Sequence, residues 1–252
     1  MRSRSFYDSL IFACLLMAIV SFPYEQFIQD STILYIVEIW VRLILVAYAF
    51  MVTTKNGFLS RYNHKPKICY LLFFVPFLLA CFSNIIFVAF AGIFVKPIIT
   101  LSTLFEIILA LLTAIYEEML FRLYFHNLLK ARNPLLKILA SAGIFALFHA
   151  ISFVFTLNIN YLIQGLYTFG LGVLLGFIYT YGKNIYACMG YHFLFNLLND
   201  VIYSIICGGI YTDKLYLYYV INSAIAVVLA IYVGLLYAFY LRKVDVYDYW
   251  HE

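Results

Sequence analysis

Charged side chains are scarce in this 252-residue chain: Asp, Glu, Lys and Arg make up 11% of it, where a water-soluble domain carries about 25%. That shortage argues against a soluble fold, and the 66% hydrophobic content points the same way. Glycine and proline are also few, 12 and 5, which excludes collagen-like and low-complexity chains. No CxxC pair occurs among the five cysteines at 14, 69, 81, 188 and 207. Each lies in or beside an apolar run and reads as a small buried hydrophobe rather than part of a disulfide or zinc framework. No basic stripe is present either. The net charge of +4 falls in short clusters between apolar runs, so no nucleic-acid partner is expected.

What the chain does have is long apolar runs. A helix needs about 20 mainly apolar residues to cross a bilayer, and about eight segments qualify. They run over 6–22, 32–52, 68–92, 98–129, 138–156, 161–181, 185–206 and 215–240. The first follows Arg2 and Arg4, but Ser21-Phe22-Pro23-Tyr24 lacks a small-residue cleavage pattern, so a retained span is expected. With a cytoplasmic N-terminus, the cytoplasmic segments hold Arg2, Arg4, Lys55, Arg61, Lys65, Lys67, Lys130, Arg132, Lys137, Lys183, Arg242 and Lys243. The opposite side holds Lys96 and Lys214. This asymmetry fits the positive-inside rule with an even span count. The expectation is an all-α, polytopic transmembrane helical bundle with both termini cytoplasmic. It would be a single integral membrane domain over 1–252, multi-pass in the cell membrane and in contact with membrane lipid. Tyrosines at span ends, such as Tyr179, Tyr181, Tyr216, Tyr218, Tyr219 and Tyr240, read as interfacial anchors.

An ionisable group inside a bilayer helix costs at least about 2.5 to 3.5 kcal/mol, so each needs a partner, a wet cavity or a function. Glu38 and Arg42 stand four apart and read as an ion pair. Glu106 lies eleven residues before Glu117, on the same helix face but about 16 Å away, and is expected to be neutral or locally paired. His126 reads as an interfacial histidine. Glu117, His149, His192 and Asn196 behave differently. Counted from the basic markers Lys130, Lys137 and Lys183, they lie at roughly 20, 18, 14 and 20 Å depth, so three helices deliver polar groups to a similar level.

Three motifs contain these residues: EEMLFR from Glu117 to Arg122, FALFH from Phe145 to His149, and HFLFN from His192 to Asn196. The set EExxxR, FxxxH and HxxxN, in order and on separate expected spans, resembles the CPBP intramembrane protease family. That family includes type II CAAX prenyl endopeptidases and bacterial proteins linked to bacteriocin self-immunity. The resemblance covers about 98–206, the expected protease-like core. It implies that Glu117 and His149 activate water while His192 and Asn196 stabilise the oxyanion.

The residues suit that chemistry. Peptide hydrolysis needs a base for water, donors for the developing oxyanion and an acid for the leaving amine. His192 and Asn196, four apart, share a helix face and can converge on one oxygen. Glu118 faces Arg122, also four apart, which reads as a supporting ion pair and leaves Glu117 directed elsewhere. Asn199 and Asp200 read as cavity-lining or network-capping groups. Glu117, His149 and His192 are also candidate metal ligands, a His₂Glu set for Zn, although no HExxH occurs.

The expected activity is an intramembrane endopeptidase acting on a membrane-associated peptide or protein, lipidated or a bacteriocin or pheromone precursor. The expected cavity opens toward the cytoplasmic half. Two readings compete with it: a non-catalytic bacteriocin-immunity or scaffold protein of the same family, and a transporter using the carboxylates and imidazoles as a proton relay. The absence of a detectable repeated half weakens the transporter.

Overall fold

The computed structural model describes residues 11, 15, 18–20, 22–61, 72–129, 131–151, 153–154, 157, 160–207 and 214–244. Most of the first expected span lies outside these residues, as do Cys14, Cys69, Arg2, Arg4, Lys65, Lys67 and Lys130. Among the described residues every regular element is helical and no strand occurs.

Helix α1 (Ser31–Lys55) starts where the Asp30 carboxylate accepts the Thr32 and Ile33 backbone N–H groups at 2.8 and 3.0 Å. Two short helices follow, α2 (Leu78–Cys81) and α3 (Ser83–Ala91). Next come α4 (Leu101–Glu118), opened by a Thr100/Thr103 capping box, and α5 (Pro134–Ala150), capped by Asn133 with Pro134 in its first turn. Then come α6 (Asn160–Gly182), α7 (Ile185–Asn196), capped by Asn184, and α8 (Leu215–Phe239). Among the described residues three segments are long and apolar enough to cross a membrane: Ser31–Lys55, Gln164–Gly182 and Tyr216–Lys243. Helix α5 is apolar but shorter. Helix α4 has the length but carries Glu106, Glu117 and Glu118.

The stretch expected to cross as one span over 68–92 is broken. Pro76 sits in a tight turn, and the helix interrupts at Phe82 between α2 and α3. Asn199, 116 residues beyond Ser83, occupies the gap. Its Oδ1 accepts Ser83 Oγ–H at 3.2 Å and the Asn84 N–H at 3.0 Å, and its Nδ2 donates to the Ala80 carbonyl at 2.9 Å. A side chain that satisfies both freed ends stabilises a break that hydropathy does not register.

Two helix contacts set the frame. Tyr35 of α1 meets Glu106 of α4 and Arg42 meets Thr113, both 71 residues apart, so α1 and α4 run parallel in heptad register. Helices α5 and α6 run antiparallel, with Gly165 against Ala146 and Ala150, Gly172 against Ala142, and Gly176 against Ile138. A Cβ on Gly176 would fall 2.8 Å from Ile138 Cγ2, so the missing side chains allow this close approach.

The centre of the bundle is the end of α4 and its continuation. Residues 116–126 are all buried, and over Met119–Phe125 the helix widens to π geometry. A second π segment, Leu197–Ile202, follows α7 directly. The first wide turn therefore begins inside EExxxR, directly after Glu118, and the second directly after HxxxN, at Asn196. Such turns add a residue without ending the helix and concentrate at functional sites. His126, expected at an interface, is instead enclosed at 2% exposure. Its Nε2 lies 3.3 Å from Thr180 Oγ1 and its ring packs edge-on against Tyr179.

Candidate active site

Six of the seven motif side chains meet in one buried cluster where α4, α5 and α7 pack. Glu117 is 2% exposed, and its two carboxylate oxygens have separate tasks. Oε1 accepts the Tyr116 hydroxyl at 2.9 Å. Oε2 has no hydrogen-bond partner and lies 3.6 Å from His192 Nε2 and 3.8 Å from His149 Nε2.

The far nitrogen of each imidazole is held. His149 Nδ1 sits 2.9 Å from the Phe145 carbonyl, which can only accept, so Nδ1 carries the proton. In neutral His149 the Nε2 lone pair then faces Glu117. His192 Nδ1 lies 2.9 Å from Glu118 Oε1. The other Glu118 oxygen pairs with Arg122 Nε at 3.4 Å, with both side chains fully buried. Arg122 also donates to Ser141 Oγ at 3.3 Å and lies 5.0 Å above the Phe145 ring. Glu118 therefore stands between Arg122 and His192, with one carboxyl oxygen toward each. Glu118 is thus more than the ion-pair partner expected from its spacing, because it links Arg122 to the second imidazole.

Phe145, the first residue of FxxxH, joins the motifs. Its carbonyl orients His149, its ring receives Arg122, and the ring packs edge-on against His149 and His192 at centroid distances of 4.4 and 6.0 Å. Gly172 of α6 makes room for it, since a Cβ there would come within 3.2 Å of the Phe145 ring.

Asn196 stands apart. It is half-buried at the end of α7, one turn beyond His192, and bonds to none of the described side chains. Asn199 serves the α2–α3 break as a cap rather than joining the cluster. Tyr116 and Ser141 escaped the sequence reading, since a hydroxyl on an apolar helix carries no signal of its target. Among the described residues no group of three or more His, Cys, Asp or Glu side chains has the arrangement to hold a metal ion. The His₂Glu expectation for Glu117, His149 and His192 therefore finds no fit, and no metal step is derived.

Residues 99–198 match the family model described as type II CAAX prenyl endopeptidase Rce1-like. This segment is Rce1-like. It begins just before α4 and ends in the π turn after α7, so it contains the whole cluster, while α1, α2, α3 and α8 lie outside it. No curated protein and no solved structure matches the chain. The Rce1-like segment thus coincides with the part of the molecule that buries charge.

Proposed function

We propose that the chain is an intramembrane endopeptidase that hydrolyses a peptide bond in a membrane-associated substrate. The observation that carries this reading is the unpartnered, buried Glu117 Oε2 facing two imidazole nitrogens inside an Rce1-like segment. Three groups of this kind around one point can hold a water and take its proton.

Glu117 and His149 act as the base pair. The water proton passes to Glu117 Oε2 or to the His149 Nε2 lone pair, the oxygen bonds to the substrate carbonyl carbon, and the carbonyl oxygen takes the negative charge. As an imidazolium with Nδ1–H held by Glu118, His192 donates from Nε2 to that oxyanion. Asn196, unengaged in the free protein, offers its carboxamide N–H from the same helix face once substrate is in place. When the carbon–nitrogen bond breaks, the proton first taken from water goes to the leaving amine. Arg122 holds Glu118 in position through the cycle, and Tyr116 holds the Glu117 carboxylate so that Oε2 is the reactive oxygen.

The chain is expected to cross the cell membrane about eight times with cytoplasmic termini. Its substrate is a peptide at or in the bilayer, with a lipidated C-terminal tail as the first candidate. The test is cleavage of a farnesylated peptide and of a hydrophobic leader peptide by purified protein in liposomes. Glu117→Gln, His149→Ala and His192→Ala should each lower turnover about 10²- to 10⁴-fold with folded protein retained. Full turnover in Glu117→Gln overturns the mechanism. Protection against a bacteriocin that survives all three substitutions would favour the non-catalytic immunity reading instead.

A further inference from the structure

Hydrolysis consumes one water per bond, yet Glu117 is 2% exposed. The source of that water is a question the Rce1-like segment does not answer, and α1, which lies outside that segment, bears on it. One stripe of α1 presents Tyr35, Glu38 and Arg42 to a stripe of α4 that carries Glu106, Thr113 and Glu117. The Tyr35 hydroxyl donates to Glu106 Oε1 at 2.9 Å, and one heptad on Arg42 Nε donates to Thr113 Oγ1 at 3.0 Å. Thr113 is one turn from Glu117 on the same face. Beyond that turn α1 contributes the buried apolar Leu45 and Ala49, so the polar stripe stops at the level of the cluster.

We propose that the seam between α1 and α4 is the path by which water reaches Glu117, entering from the end of the bundle where both helices begin. This inference rests on the hydrolase reading for its purpose but not for its test.

Two features favour a wet seam over a merely structural one. Glu106 meets a hydroxyl and no cation among the described residues, so in a dry bilayer its carboxylate would have no counter-charge. Further, the Glu38 and Arg42 side chains keep 26% and 17% exposure, whereas the Glu118–Arg122 pair keeps none. Charged heads left open on a membrane helix carry the insertion penalty unless water solvates them. Arg42 also spends only some of its five donors, on Thr113 Oγ1, the Glu38 carbonyl and Glu38 Oε2, and so retains N–H groups for water.

The experiment is thiol labelling in liposomes with a charged, membrane-impermeant reagent, which needs a solvated thiolate. Single cysteines replace Glu38, Glu106 and Thr113, with Leu111→Cys as the lipid-side control on the same helix. The parent protein sets the baseline, with its described cysteines at 81, 188 and 207 all buried. Leu111 is 43% exposed while Thr113 is half-buried, so accessible area alone ranks Leu111 first. A wet seam reverses the order, with Thr113→Cys and Glu106→Cys labelling at least about tenfold faster than Leu111→Cys. Labelling confined to Glu38→Cys, or equal rates at Thr113 and Leu111, overturns the proposal. Thr113→Cys is nearly isosteric, and recovery of each variant as a monodisperse peak in detergent qualifies the reading. Because labelling does not depend on turnover, a dry seam leaves the peptidase standing, and an inert protein with a wet seam does the reverse.

Discussion

Two ion pairs in this molecule share a sequence spacing and a distance. Glu38–Arg42 and Glu118–Arg122 are both four apart with the acid first, and both have a nitrogen–oxygen separation of 3.4 Å. Their surroundings differ completely. The first keeps 26% and 17% side-chain exposure and its arginine turns to a threonine on the next helix. The second keeps none, and its glutamate passes the contact on to His192. The comparison shows that i,i+4 spacing predicts pairing but not consequence, which depends on what the third partner is and on whether water can replace it.

The largest expected effect comes from breaking the buried pair. Arg122→Ala leaves the Glu118 carboxylate enclosed without its cation, and removing one partner of a buried pair costs about 3 to 5 kcal/mol. Unfolding of the variant in mixed micelles, followed by helix signal against SDS fraction, should show a loss of that size. A loss within about 1 kcal/mol, the range of a solvated pair, would mean that water enters the cluster and that the two pairs are alike after all.

Close packing is what keeps the second pair dry, and it can be challenged directly. Gly176→Val places its Cβ 2.8 Å from Ile138 Cγ2 on α5, the helix that carries His149, whereas a Cβ at Gly170 meets nothing within 4 Å. Overpacking costs about 1 to 3 kcal/mol. Unfolding curves of the two variants should separate by that amount, and coincident curves would show that α5 yields without strain.

A smaller effect is expected from the Tyr116 hydroxyl. Tyr116→Phe frees Glu117 Oε1 in a buried site and removes a hydrogen bond worth about 1 kcal/mol or somewhat more. Turnover should fall about tenfold with KM unchanged, since the phenyl ring still fills its space. A rise in KM at constant kcat would assign the hydroxyl to substrate binding.

The convergence of Glu117, His149 and His192 was legible because helical rise is regular: counting residues from basic markers gives a depth, and side chains at one depth on adjacent helices can meet. The helical class followed from composition for an equally local reason. What the sequence hid was non-local. Nothing near Phe82 announces a break, since the group that stabilises it is Asn199, 116 positions away from Ser83. Enclosure of His126 depends on Thr180 and Tyr179 of another helix. The roles within EExxxR were partly legible. Faces separated Glu117 from Glu118, but only packing brought Glu118 to His192. Hydropathy averages also hide local features within a stretch expected to cross, a proline turn at Pro76 or three glutamates in α4.

The smallest effect is expected at the exposed pair, and there its size decides the comparison. Glu38→Gln and Arg42→Met, alone and together, form a double-mutant cycle. If both side chains are solvated, their coupling is at most about 1 kcal/mol, the range measured for pairs that water can dissolve. Each single change should then cost little, because water takes over from the missing partner. In a dry seam either single substitution strands a charge in hydrocarbon and costs several times more, while the double variant recovers much of the loss. The sign and size of that recovery, read from the same SDS unfolding curves, therefore separate a pair resting in water from one sealed in lipid without requiring any catalytic measurement.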